Sequence, residues 1–128
     1  MPHTRTVLVV DDNTAAADSL ARLIDAIGYR AIARYSALDV LENIEEDAAD
    51  LMLIDIGMPV MDGYELIQEL RARDATDAPI VALTGYGLQE DKDRARAAGF
   101  TMHLTKPIGL SDLRSVLTLM DAPAEMGT

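Results

Sequence analysis

The stretch LMLIDIGMPVMDG, from Leu51 to Gly63, decides the fold. Its first four residues are continuously apolar rather than alternating, the pattern of a strand covered on both faces within a parallel sheet. An aspartate, Asp55, then stands where the apolar run should continue, with Gly57, Pro59 and Gly63 close behind it. Pro59 fixes φ and Gly63 permits turn geometry, so a shaped loop follows the strand. A helix should start near Gly63 and bury Leu66, Ile67 and Leu70.

The same rhythm extends in both directions. TVLVV (Thr6 to Val10) reads as a first strand, and about Thr14 to Ile27 as a helix with Ala17, Leu20, Leu23, Ile24 and Ile27 on one face. Gly28 supplies its C-terminal stop. RAIARY (Arg30 to Tyr35) is a weaker strand, and Ser36 can cap a helix carrying Leu38, Val40, Leu41 and Ile44. Beyond the opening stretch, PIVAL (Pro79 to Leu83) is a fourth strand. QEDKDRARAAGF is a charged helix closed by Gly99, and TMHLT (Thr101 to Thr105) is a fifth strand. Ser111 can cap a last helix bearing Leu113, Val116, Leu117 and Leu119.

Strict alternation of five strands and five helices predicts an α/β fold, a doubly wound parallel sheet with right-handed crossovers. The length of 128 residues suits one domain, with a core over about 5–120 and the segment DAPAEMGT (121–128) as a tail. A hydrophobic fraction of 49% fits a packed core. There is no cysteine, which excludes disulfides, thiolate metal sites and cysteine nucleophiles and fits a reducing compartment. The terminus MPHTRTVLVV lacks a signal-peptide layout, and no apolar run approaches the roughly 18 residues of a membrane span, so the cytoplasm is expected and no membrane partner. Eleven Lys and Arg against 22 Asp and Glu give a net charge of -11, a surface that repels nucleic acid. His3 is assigned no role.

In a doubly wound sheet, ligands gather beyond the carboxyl ends of the strands. Here the first strand ends on Asp11 and Asp12, the third on Asp55, the fourth on Thr84, and the fifth on Thr105, Lys106 and Pro107. Each group alone has a plain structural explanation; their convergence on one edge does not. Three carboxylates within a few ångströms repel by about 4 kcal/mol per pair at 4 Å with an effective dielectric of 20. Cations are therefore implied: Lys106 as a fixed one, and a hard divalent ion such as Mg²⁺ on an all-oxygen site. An ionised Asp55 beside such an ion, a lysine and a hydroxyl is equipped to attack phosphorus and form an acyl phosphate without a general base.

These residues resemble the receiver domain of bacterial two-component response regulators over essentially the whole chain. The resemblance rests on VVDDN (Val9 to Asn13), LIDIGMPVMDGYEL (Leu53 to Leu66), ALTGYG (Ala82 to Gly87) and LTKP (Leu104 to Pro107). It implies the CheY-like, flavodoxin-like strand order 2-1-3-4-5. It also implies that Asp55 accepts a phosphoryl group from a phosphohistidine of a sensor histidine kinase or histidine phosphotransfer protein. Asp12 would ligate Mg²⁺ directly and Asp11 through water, with the Gly57 backbone carbonyl as a further ligand. Lys106 would pair with Asp55 and then with its phosphate, the Lys106-Pro107 bond would be cis, and Thr84 would move toward the phosphate.

His103 stands three residues before the lysine, where the family often has Tyr or Phe. It reads either as a half-buried strand histidine without a role or as a switch that rotates inward. Gly57 and Tyr86 occupy positions that flank the route of attacking water in the family. Output is expected through protein contact at the face of the fourth helix, fifth strand and fifth helix, from a monomer or a phosphorylation-dependent dimer. LTGYG and His103 look more like receivers attached to hybrid sensor kinases than like those of transcription factors. No output domain is expected after the last helix, and the chain is not expected to be a conventional enzyme beyond its own phosphotransfer and autodephosphorylation. A dehalogenase-type phosphohydrolase would want a second aspartate at the position of Gly57. A receiver that had lost phosphorylation would be expected to lack one of Asp11, Asp12, Asp55 or Lys106, and all are present.

Overall fold

The structure is a computed structural model, and it describes residues 4–85 and 89–120, with the backbone alone at 89–91. Five parallel strands, β1 (Thr6–Val10), β2 (Arg30–Arg34), β3 (Leu51–Asp55), β4 (Ile80–Thr84) and β5 (Met102–Thr105), form one sheet in the order β2-β1-β3-β4-β5. The helices are α1 (Thr14–Ile27), α2 (Ala37–Asp47), α3 (Gly63–Ala72), α4 (Gln89–Ala98) and α5 (Leu110–Leu117), followed by a 3-10 turn at Thr118–Met120. The doubly wound α/β fold is thus the one expected. No helix among the described residues is long and apolar enough to cross a membrane.

Every residue of β1, β3 and β4 is buried, which is why these strands are continuously apolar rather than alternating, apart from Thr6, Asp55 and Thr84 at their ends. Their period of two still sorts the side chains into two cores. Leu8, Val10, Met52, Ile54, Ile80 and Ala82 pack with Val40, Leu66, Ile67, Leu70 and Ala95 on the α2, α3 and α4 side. Val7, Val9, Leu51, Leu53, Val81, Leu83 and Leu104 pack with Ala17, Ile24, Leu113 and Val116 on the α1 and α5 side.

Local signals set the helix ends. Asn13 caps α1 by accepting from the Ala16 amide at 3.1 Å, and Gly28 closes it at φ 113°. Ser36 caps α2 as expected, accepting from the Asp39 amide at 3.1 Å. Asp62 and Glu65 close a reciprocal box at the start of α3, at 2.9 and 3.1 Å.

Several boundaries move. Ser111 does not cap α5; Gly109 holds that position, and Asp112 reaches back to its amide at 3.1 Å. Leu119 falls in the 3-10 turn rather than in α5. Leu38, placed by periodicity on the buried face of α2, is 65% exposed, because Val40 and Ala37 take the inward positions. β4 starts at Ile80 because Pro79 has no amide to donate, though its carbonyl accepts from Met52 at 3.0 Å. β2 and β5 are each one residue shorter than expected, ending at Arg34 and starting at Met102. The tail, His3 and Tyr86 lie outside the described residues.

One ion pair braces the β2 edge. Arg34 grips the buried Asp47 of α2 with two donors, at 2.9 and 2.7 Å. The hydrogen bond to Asp47 is also the main reason the Arg34 guanidinium is held above its ordinary pKa. Arg34→Ala strands that carboxylate, and urea unfolding should show a loss of about 2 kcal/mol.

Candidate functional site

The sheet register brings the site together. Val10 pairs with Ile54, so Asp11 and Asp55 leave adjacent strands side by side. Asp55 pairs with Leu83, and Leu83 with Leu104, which places Lys106 just beyond the same edge. Asp11, Asp55 and Lys106 continue the rows of Val9, Leu53 and Leu104, so the period of two aims all three toward the α1 and α5 side.

The contacts follow from that placement. Lys106 Nζ lies 2.8 Å from Asp11 Oδ2 and 3.3 Å from Asp55 Oδ2. Asp11 and Asp55 are buried and Asp12 is exposed, and one oxygen from each of the three lies within 4.8 Å of the others. The Asp11 carboxylate also accepts from the Asn13 amide at 3.0 Å, and the Asp11 amide donates to the Arg34 carbonyl at 3.1 Å. Gly57 donates its amide to Asp55 Oδ1 at 3.0 Å. The Lys106-Pro107 peptide is cis.

Burial pushes the Asp55 carboxyl above its ordinary pKa; the Gly57 amide pulls it down, the neighbouring Asp11 raises it further, and Lys106 opposes. Burial lowers Lys106, but the Asp11 hydrogen bond and the charges of Asp55 and Asp11 outweigh it, so the ammonium is held above its usual value. The site is therefore a carboxylate cluster that one lysine neutralises incompletely. Its donor set is hard oxygen on three sides with an exposed member in Asp12, which fits a divalent cation such as Mg²⁺.

Lys106→Met tests this balance. It leaves two buried carboxylates without their cation and should cost about 2 kcal/mol in thermal or urea unfolding, part of which Mg²⁺ restores.

Thr84 is fully buried, and its hydroxyl lies 3.5 Å from the Leu104 carbonyl, at the outer limit of a hydrogen bond. His103 is half-buried on the edge strand β5 and, with Lys92, Arg96 and Phe100, lines a groove of about 210 Å³ beside α4. On the other flank, Leu20 and Leu23 of α1 with Pro107 and Ile108 wall a cleft of about 500 Å³ that reaches Asp11 and Lys106.

Sequence reasoning pairs Lys106 with Asp55 and overlooks its shorter bond to Asp11. It also misses Arg34, whose carbonyl receives the Asp11 amide. Neither carries a signal in the sequence, because both depend on which strands become neighbours.

Comparisons with known proteins agree with this fold. The pattern that defines the response regulator receiver domain matches residues 7–118. The chain is 34% identical over 113 residues to the sensor histidine kinase RcsC of Escherichia coli, covering 88% of this chain but 12% of the kinase. It is 32% identical over 108 residues to the polar-differentiation response regulator DivK of Brucella ovis, covering 84% of this chain and 88% of that protein. Among solved structures, the Vibrio cholerae chemotaxis protein CheY4 superposes with a TM-score of 0.84 at 26% identity, covering 91% of this chain and 98% of CheY4. A CheY-like response regulator receiver domain protein from Methanospirillum hungatei superposes with a TM-score of 0.82 at 29% identity, covering 93% of this chain and 95% of that one. The chain belongs to the response regulator receiver domain family of two-component and phosphorelay systems.

Proposed function

We propose that this chain is a phosphorylation-dependent switch whose acceptor is Asp55. The observation that carries this reading is the buried Asp55 carboxylate, 3.3 Å from Lys106 and clustered with Asp11 and Asp12 at the sheet edge. An Asp55 oxygen forms the new bond to phosphorus while the bond from phosphorus to the donor's imidazole nitrogen breaks, and the electron pair returns to the imidazole. Lys106 keeps its proton and pairs with the incoming phosphoryl oxygens. Asp11, Asp12 and Asp55, with the Gly57 carbonyl, would hold Mg²⁺, which when bound supplies positive charge against those oxygens. Water later attacks phosphorus, the bond from phosphorus to the Asp55 oxygen breaks, inorganic phosphate leaves and Asp55 returns to its free carboxylate, with Gly57 and Tyr86 setting the rate of that loss.

Thr84, held by a long hydrogen bond, turns toward the phosphate, and His103 then rotates inward. Matched structures with and without a phosphate mimic test that step, and one unchanged His103 rotamer would sink it. The donor is a sensor histidine kinase or histidine phosphotransfer protein, and the output is protein contact at the α4, β5 and α5 face. The chain acts as a monomer or a phosphorylation-dependent dimer, in the cytoplasm.

Incubation with acetyl phosphate and Mg²⁺ should add one phosphoryl group, read by intact mass, and chelation with EDTA should prevent it. No incorporation with or without Mg²⁺ would overturn the proposal. The cation alone should also stabilise the fold by about 1.4 kcal/mol at tenfold excess over its dissociation constant, visible as a higher Tm.

A further inference from the structure

Arg34 is the last residue of β2, an edge strand that pairs with β1 alone. Strand ends at a sheet edge open more readily than the centre. The final pair of the β1 and β2 ladder is Val10 with Arg34, and one hydrogen bond lies beyond it, from the Asp11 amide to the Arg34 carbonyl at 3.1 Å. The least secured corner of the sheet therefore carries a member of the acidic cluster.

The Arg34 side chain lies on the other face from that cluster. Its ladder partner Val10 and its neighbour Ile32 belong to the core on the α2, α3 and α4 side, and the period of two places Arg34 with them. Asp11 follows Val7 and Val9 toward the α1 and α5 side. The guanidinium is engaged on α2, by Asp47 at 2.9 and 2.7 Å and by Asp39 at 3.7 Å. Any influence of Arg34 on Asp11 thus runs through the backbone.

Asp47 is a costly residue at its position. It closes α2, where the helix dipole disfavours a carboxylate, and it is only 5% exposed. Desolvation offsets much of the attraction in such a pair, and well-packed apolar residues of similar volume are commonly as stable. What apolar packing lacks is direction. Two N–H donors on one carboxylate fix the guanidinium in orientation as well as in place, and the strand end to which it is attached is fixed with it. The Asp11 carboxylate is itself tied to Lys106 Nζ at 2.8 Å and to the Asn13 amide at 3.0 Å, so a shift of its backbone is transmitted to the cluster.

We propose that Arg34, gripped by Asp47, is a positioning residue for the divalent cation: it fixes the end of β2 and, through its carbonyl, the Asp11 carboxylate that helps to hold the ion. The inference rests on the cation site proposed above. Arg34 touches neither the ion nor the acceptor Asp55, and Asp47 acts one step further away, on α2.

The test reads cation affinity on folded protein, in the cold and well below every Tm. Mn²⁺ is the probe, since it takes the same carboxylate and water ligands as Mg²⁺ and its free form is measured by electron paramagnetic resonance. Arg34→Met should raise the Mn²⁺ dissociation constant about tenfold. Charge alone predicts the reverse, because loss of a cation leaves a more negative protein that attracts Mn²⁺ more strongly. Asp47→Asn, which breaks the brace from α2, should weaken binding by a similar factor. The double variant Arg34→Met with Asp47→Leu should regain much of the Tm lost in Arg34→Met and still bind weakly. Binding within about twofold of the unaltered chain in either single variant overturns the proposal. Recovery of affinity in the double variant overturns it as well, because the pair would then serve stability alone. No Mn²⁺ binding by the unaltered chain would overturn the cation site itself and this inference with it, an outcome distinct from equal binding by all four proteins.

Discussion

Asp55→Asn should incorporate no phosphoryl group from acetyl phosphate or from a protein donor, while unfolding at a higher temperature than the unaltered chain when Mg²⁺ is absent. The amide has no ionised oxygen to attack phosphorus, so the loss is complete rather than partial. Asp11 and Asp12 remain, but neither combines the burial of Asp55 with its place at the end of the central strand β3. The stability gain comes from the same geometry. Burial and the nearby Asp11 charge hold Asp55 above its ordinary pKa, so the native state binds more protons than the unfolded chain in the window just above that ordinary value. Stability therefore falls as pH rises through the window, and the asparagine variant lacks this fall. A gain of about 1 kcal/mol is expected at neutral pH, since the relief of like-charge repulsion exceeds the lost attraction to Lys106. Adding Mg²⁺ should narrow the difference, because the cation stabilises the unaltered site more. Intact mass and thermal melts with and without EDTA check both halves, and a less stable Asp55→Asn in EDTA would contradict the electrostatic account.

Gly63→Ala should be damaging although it removes no functional group. A Cβ at position 63 would sit 2.7 Å from the Ile56 Cα and 2.9 Å from the Asp55 carbonyl oxygen, both backbone atoms that cannot swing aside. The cost is about 3 kcal/mol for overpacking against rigid structure, which corresponds to roughly 10 °C in Tm for a domain of this size. Because the displaced atoms belong to Asp55 and Ile56, acetyl phosphate labelling should slow as well, with every site side chain still present. Gly57→Ala is the contrast. Its Cβ would meet Asp55 Oδ1 at 3.5 Å, an ordinary contact, so its stability should stay close to that of the unaltered chain. Equal melting temperatures for Gly63→Ala and Gly57→Ala would show that the α3 start yields more easily than the geometry allows.

Much of the fold and of the site is legible in the amino-acid sequence. The apolar runs of β1, β3 and β4 mark strands buried on both faces, and each ends on a polar group that the topology carries to one edge. Ser36 announces a helix start because its side chain makes the capping bond itself. Ser111 misleads by the same logic, since Asp112 and a bare Gly109 amide start the helix earlier than a serine cap would. Leu38 misleads because helical period names a face but not its edge, and at that edge solvent wins.

By itself, then, the sequence determined the order of strands and helices, the residues at each strand end and the chemical kind of site they could form. These are local properties: capping, periodicity, and the period of two that puts Asp11, Asp55 and Lys106 on one side. Tertiary structure alone decided the pairings. Lys106 lies 95 residues from Asp11 yet bonds it at 2.8 Å, and Arg34 reaches Asp47 from another strand end. Distance along the chain carries no information about such contacts; the parallel register and the packed cores on either side of the sheet do.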